Sequence, residues 1–126
     1  MDTDMGLKYQ DITQDIIGAA FEVHNILGYG FLEKVYQRAM QVELLQRGHT
    51  TELEPALEVK YKGVIVGNYA ADLLVDGKVI VELKVAQTYN PKDEAQLLNE
   101  LKATGMIIGL LINFGKEKVE FKRFVY

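Results

Sequence analysis

The sequence predicts an α/β fold, because its apolar residues change period along the chain. From Thr13 to Gly48 they recur at helical spacing, from Leu57 to Val85 they largely alternate, and from Asn90 to Gly105 the helical spacing returns. In the first stretch Thr13 is the expected N-cap, and Asp15 puts negative charge in the first turn. Ile16, Ala20, Val23 and Leu27 form one stripe of a helix that ends in the turn Gly28-Tyr29-Gly30. No strand precedes those glycines, so they are not a dinucleotide loop. Leu32, Val35, Tyr36, Ala39 and Met40 mark a second helix, stopped by Gly48. Residues 1–12 read as a loose lead-in.

The middle of the chain reads as strands. Leu57, Val59 and Tyr61 alternate with Glu58, Lys60 and Lys62, and after a turn at Lys62-Gly63 a second strand runs to about Val75. Asp76-Gly77 is a hairpin signal, followed by a third strand from Lys78 to Val85. Asn90-Pro91 starts a helix, with Ala95, Leu97, Leu98 and Leu101 as its expected buried face and Gly105 as its cap. Met106 to Phe114 is apolar on both faces, as a central strand is, and Val119 to Val125 reads as an edge strand.

A chain of 126 residues fits one domain, residues 1–126, with ordinary globular proportions of 48% hydrophobic and 25% charged residues. Without cysteine there is no disulfide and no thiolate metal site, and without serine as well there is no serine or cysteine nucleophile. The start of the sequence lacks the apolar stretch of a signal peptide, and no run is long enough to span a bilayer; a cytoplasmic protein without membrane contact is expected. A net charge of −4 argues against broad non-specific nucleic-acid binding, yet a carboxylate-rich metal site is itself negative.

Glu-x-Lys occurs four times, and context separates the copies. Glu58/Lys60 and Glu120/Lys122 lie in charged strand faces, and Glu100/Lys102 lies in a helix, where positions two apart diverge. Glu82 and Lys84 instead interrupt a strand that is otherwise apolar on both faces, where an unpaired charge costs several kcal/mol. Asp72 occupies a similar setting in the preceding strand. A two-residue hairpin loop would put Asp72 and Glu82 on opposite faces. A three-residue loop, Val75-Asp76-Gly77 with Gly77 left-handed, puts Asp72, Leu74, Ile80, Glu82 and Lys84 on one face and Leu73, Val79, Val81 and Leu83 on the other. Carboxylates this close require a proton or a cation between them, and an oxygen-only set suits Mg²⁺ or Mn²⁺. The plainer alternative is a buried ion-pair cluster without function.

Gly30-Phe31-Leu32-Glu33-Lys34-Val35-Tyr36 resembles the signature of the GxxExxY family. Asp72-Leu73-Leu74-Val75-Asp76-Gly77, Val81-Glu82-Leu83-Lys84, Glu94-Ala95-Gln96-Leu97-Leu98 and Gly109 to Gly115 resemble its later segments, so the likeness runs from about Ile16 to the end. That family is similar to PD-(D/E)xK nucleases. The resemblance implies an αβββαβ core with a mixed central sheet flanked by helices, and divalent-metal-dependent hydrolysis of DNA or RNA. It implies metal binding by Asp72, Glu82, the Leu83 carbonyl and Glu33, with Lys84 assisting the nucleophile and Gln96 completing the site. Two positions depart from relatives: Ala70 stands where arginine is common, and Glu100 where many nuclease branches have tyrosine. Both changes weaken phosphate binding. The competing function is a non-catalytic nucleic-acid-binding or protein-interaction module of the same fold, expected as a homodimer. Glu33 as an ordinary helix acid, Gln96 as a plain helix polar residue and Tyr36 as a core residue stay open, and His24 and His49 read as a helix-face and a loop histidine.

Overall fold

The computed structural model describes residues 9–126, so most of the expected lead-in lies outside the described residues. Helix α1 (Gln10–Leu27) is already under way at Gln10, ahead of the expected cap. Tyr9 caps it in a left-handed conformation, and Thr13 sits inside the helix, its hydroxyl donating to the Gln10 carbonyl at 3.1 Å. A threonine hydroxyl serves a preceding carbonyl as readily as an N-terminal N–H, which is why a good cap residue misled. Helix α2 (Glu33–Gln46) buries Tyr36, Gln37, Met40 and Leu44. Leu32 and Val35, expected on its apolar face, are 79% and 37% exposed.

The second expected strand is two strands. After β1 (Thr51–Leu53), which the alternation did not reveal, β2 (Ala56–Tyr61) pairs with β3 (Val64–Ala70) as a separate hairpin, whose register shifts at Val59/Lys60. The chain then breaks at Ala71-Asp72 and enters the main sheet as β4 (Leu73–Val75). With β5 (Val79–Lys84), β6 (Ile108–Asn113) and β7 (Glu120–Val125), the main sheet has the order β1-β4-β5-β6-β7. Its pairs are antiparallel except β5 with β6, which α3 (Pro91–Thr104) connects. Asn90 caps α3 through its side chain, which accepts the Lys92 N–H.

The hairpin loop is odd in length but placed one residue later than expected. Val75 pairs with Val79, leaving Asp76-Gly77-Lys78 as the loop, with Gly77 left-handed at φ 64°. The parity is the expected one, so the side chains divide as read. Leu73, Val79, Val81 and Leu83 enter the core under α1 and α2, whereas Ile80 joins Leu97, Leu101 and Leu111 under α3. In the larger core the Tyr36 ring stacks on Phe114 with centroids 4.6 Å apart. His24 is buried there too, against Phe114, and its Nε2 donates to the Lys116 carbonyl. On α3 the buried face is Leu97, Glu100 and Leu101; Ala95 is exposed and Leu98 half-buried, so the expected face is rotated toward the acid. No helix among the described residues is long and apolar enough to cross a membrane.

His49 fastens the hairpin to α1. Its Nε2 donates to Asp15 at 2.7 Å and its Nδ1 to Asp76 at 2.6 Å, while the second Asp76 oxygen accepts the Thr50 N–H. Donating at both nitrogens requires the imidazolium, and hydrogen bonds from Asp15 and then Asp76 raise the His49 pKa. Folding therefore takes up a proton here. The stabilisation is complete below the ordinary histidine pKa of about 6.5 and is lost as pH rises through the elevated value. His49→Gln should cost about 1–2 kcal/mol in urea unfolding at pH 6 and clearly less at pH 9. An equal cost at both pH values would mean that the ring acts by packing alone.

Candidate active site

The break that ends β3 places Asp72 where a side chain can replace strand pairing. Continuing the register of β4 and β5 by one residue brings Asp72 opposite Glu82. There the side chains and backbone exchange bonds: the Asp72 N–H donates to Glu82 Oε1 at 3.0 Å, and the Leu83 N–H donates to Asp72 Oδ2 at 2.6 Å. The Asp72 carbonyl accepts Gln37 Nε2 and the Glu54 N–H. Backbone and side chain of the aspartate are thus both fixed from neighbouring elements.

Glu33 joins from the first turn of α2, its carboxyl hydrogen-bonded to that of Asp72. Gln96 joins from α3, its Nε2 placed 3.3 Å from both Glu82 Oε2 and Glu100 Oε2. Lys84, at the end of β5, turns its ammonium to Asp93 Oδ1 at 3.6 Å rather than onto Glu82. Asn113 anchors the segment after β5: its amide accepts the N–H groups of Ala86 and Gly115 and donates to the Ala86 carbonyl. Beyond Lys84 a hollow of about 190 Å³ opens, lined in part by Tyr89, Asp93, Phe121 and Lys122.

The structure therefore brings Glu33, Asp72, Glu82, Lys84 and Gln96 to one end of the sheet. Leu83 contributes its N–H. Tyr36 does not take part; its hydroxyl donates to the Gly28 carbonyl at 2.6 Å. Gln37, Asp93, Glu100 and Asn113 were not read as site residues. Asp93, Gln96 and Glu100 lie three and four apart on one helix face, a signal available in the sequence once Gln96 is placed. Gln37 and Asn113 act through backbone groups, which no residue pattern announces.

Electrostatically the cluster is overcrowded with acid. Burial and then the charges of Glu100 and Asp72 raise the Glu82 pKa to about 8. Burial is the first cause for Asp72 as well, outweighing the Leu83 N–H and Lys84; for Glu33, burial and the Asp72 charge act together. Among the described residues no three His, Cys, Asp or Glu side chains form a closed metal cage. In this arrangement Asp72 Oδ2 and Glu82 Oε1 face backbone N–H groups, and the other oxygens face Glu33 and Gln96. The donor set still fits a hard divalent cation, since raised carboxyl pKa values on oxygen ligands are what such an ion relieves.

The sign of the Glu82 effect is testable without metal. Its folded pKa lies above the unfolded value, so stability is complete at pH below about 4.5 and falls as pH rises toward 8. In EDTA the thermal midpoint should fall between pH 5 and pH 8, and Glu82→Gln should flatten most of that fall. An unchanged slope in the variant would place the burden on other acids.

The assembled groups can be set beside known proteins. A crystal structure of SSO0001 superposes with a TM-score of 0.54 at 17% identity, covering 94% of this chain and 61% of that one. The chain thus spans less than two thirds of that protein's length. An alkaline exonuclease, LHK-Exo from Laribacter hongkongensis, superposes with a TM-score of 0.50 at 10% identity, covering 84% and 75%. The same protein in complex with dAMP gives 0.51. At these identities the likeness concerns the fold. No curated protein matches the chain significantly. The sequence profile of the PD-(D/E)XK nuclease superfamily matches residues 10–124, the span that contains the hairpin, the two flanking helices and every acid described above, and so this chain belongs to the PD-(D/E)XK nuclease superfamily.

Proposed function

We propose that the chain hydrolyses phosphodiester bonds of DNA or RNA, with Asp72, Glu82 and Glu33 holding Mg²⁺ or Mn²⁺. The observation that carries this reading is the exchange between Asp72 and Glu82, which fixes two buried acids side by side within reach of a third carboxyl and beside Lys84. Such charge crowding is costly unless it is used. A bound divalent ion supplies Lewis-acid polarisation of the phosphate and a more acidic water. The chain's own groups do the rest. Asp72 and Glu82 are locked against rotation by backbone N–H groups, so they are pre-positioned. Gln96 orients the second Glu82 oxygen. Lys84, released from Asp93, holds the attacking water and stabilises charge on the phosphate. The hollow beside Lys84 gives the nucleotide next to the cut a place to lie. The exonuclease neighbour's dAMP complex supports a nucleotide ligand for this fold.

A non-catalytic, nucleic-acid-binding or protein-interaction module is the second reading. It draws on the engagement of Lys84 by Asp93 and on the extra acid Glu100. Incubation with linear and circular DNA and RNA, single- and double-stranded, separates the two. A nuclease cuts in Mn²⁺ and stops in EDTA. Metal binding without cleavage of any substrate would sink the enzyme reading and leave the module.

A further inference from the structure

Glu100 is the least explained group in the molecule. It is 1% exposed, and one of its oxygens, Oε1, is buried without a hydrogen-bond partner. An orphaned buried carboxyl oxygen in a small core demands a reason. Its other oxygen meets Gln96 Nε2, the same nitrogen that meets Glu82, so one amide links the two carboxyls. Glu100 also bears on Glu82 more strongly than Asp72 does. The Lys84 ammonium does not pair with it, being turned to Asp93.

The acids fall into two groups with Glu82 between them. Glu33 comes from α2, which packs on the sheet face lined by Leu73 and Val81, and it is bonded to Asp72. Glu100 comes from α3, on the face lined by Ile80, and it is linked to Glu82 through Gln96. Acids delivered from opposite faces of a sheet are poorly placed to surround one ion. They are well placed to serve two that share the central carboxylate.

We propose that Glu82 and Glu100 form a second divalent-cation position, with the Gln96 side chain beside it, distinct from the one at Glu33, Asp72 and Glu82. It rests on the metal-binding reading above and adds an ion to it. A rotation of the Gln96 amide would turn its carbonyl oxygen, in place of the N–H, toward the cation, giving an oxygen-only set suited to Mg²⁺ or Mn²⁺. With both acids ionised, the second cation supplies the partner that Oε1 lacks. The tyrosine of related nucleases at this position has no carboxylate to offer, so the second position belongs to chains that carry the acid.

Mn²⁺ binding measured by electron paramagnetic resonance and calorimetry at pH 8 tests this without reference to activity. Wild type should bind two Mn²⁺ ions with a spin-coupled signal. Glu100→Gln and Glu100→Tyr should each bind one, uncoupled, with the affinity of that ion within a few-fold of the tighter wild-type site. Asp72→Asn should remove the other ion. Thermal unfolding in EDTA serves as the fold control, and Glu100→Gln, which keeps the side-chain shape, should unfold no earlier than wild type. One ion in wild type that Asp72→Asn abolishes would overturn the second position alone. Two ions persisting in Glu100→Gln would overturn it as well, and no ion in wild type would overturn both positions together.

Discussion

Alanine in place of Lys84 should slow Mn²⁺-dependent cleavage by about 10²- to 10⁴-fold while leaving Mn²⁺ affinity unchanged. The ammonium is not bonded to either central acid; its nearest anionic partner is Asp93 at 3.6 Å. Removing it therefore leaves the Asp72 and Glu82 hydrogen bonds intact and takes away only a positive charge near the reacting phosphate. Glu82→Gln should differ in kind. It keeps the shape but replaces the carboxylate that accepts the Asp72 N–H, so metal affinity and rate should fall together. Single-turnover rates at saturating Mn²⁺ tell these apart. A Lys84→Ala enzyme whose rate recovers fully with more metal would show that the lysine tunes binding instead of chemistry.

Gly115→Ala should unfold the protein more easily by about 3 kcal/mol, the upper end of the usual range for overpacking. A Cβ at Gly115 would lie 2.3 Å from the Ala86 nitrogen and 2.7 Å from its carbonyl oxygen. Those are backbone atoms, which cannot swing aside as a side-chain end does. Their displacement would also break the Asn113 amide's bonds to Ala86, which hold the segment just after Lys84. The same substitution should therefore weaken cleavage in whatever fraction stays folded. Denaturant unfolding gives the first effect, and activity per folded molecule gives the second. Gly109→Ala is a useful contrast, because its Cβ would meet the end of the Leu97 side chain, which has some freedom to shift.

The elements with strong periodicity were legible. The stripe of α1, the Asn90-Pro91 start of α3 and the apolar β6 all stand where the pattern put them. The hairpin face assignment succeeded because only one loop parity reconciles the apolar stripes of β4 and β5 with burial. Legibility failed where tertiary context overrode local pattern. The run from Val64 to Val75 is largely apolar, and nothing in it marks Ala71-Asp72 as the point where the chain leaves one sheet for another. Thr13 failed because its hydroxyl serves a helix interior equally well. At the site, Asp72, Glu82 and Lys84 stood out as charge in an apolar setting. Glu100 stood out only as a departure from related nucleases, since a helix acid carries no mark of burial until the helix is docked. The contributions of Gln37 and Asn113 depend on which backbone atoms face them, and that is a property of the assembled fold.

Except for Glu33, the acids, the lysine and the glutamine of the site all come from β4, β5 and α3 or the residues bordering them, between Asp72 and Glu100. The Asp72–Glu82 bond spans ten positions and the Gln96–Glu82 bond fourteen. Contacts this close in sequence are inexpensive to close in loop entropy and tend to form early in folding. The parallel pairing of β5 with β6 and the docking of α2 come from more distant chain and should form later. The acid hairpin would thus exist as a nascent, solvent-facing unit before Glu33 arrives from α2 to enclose it. A divalent ion taken up at that stage would bias the order of assembly, so that refolding in Mg²⁺ and refolding in EDTA travel by different routes to the same topology.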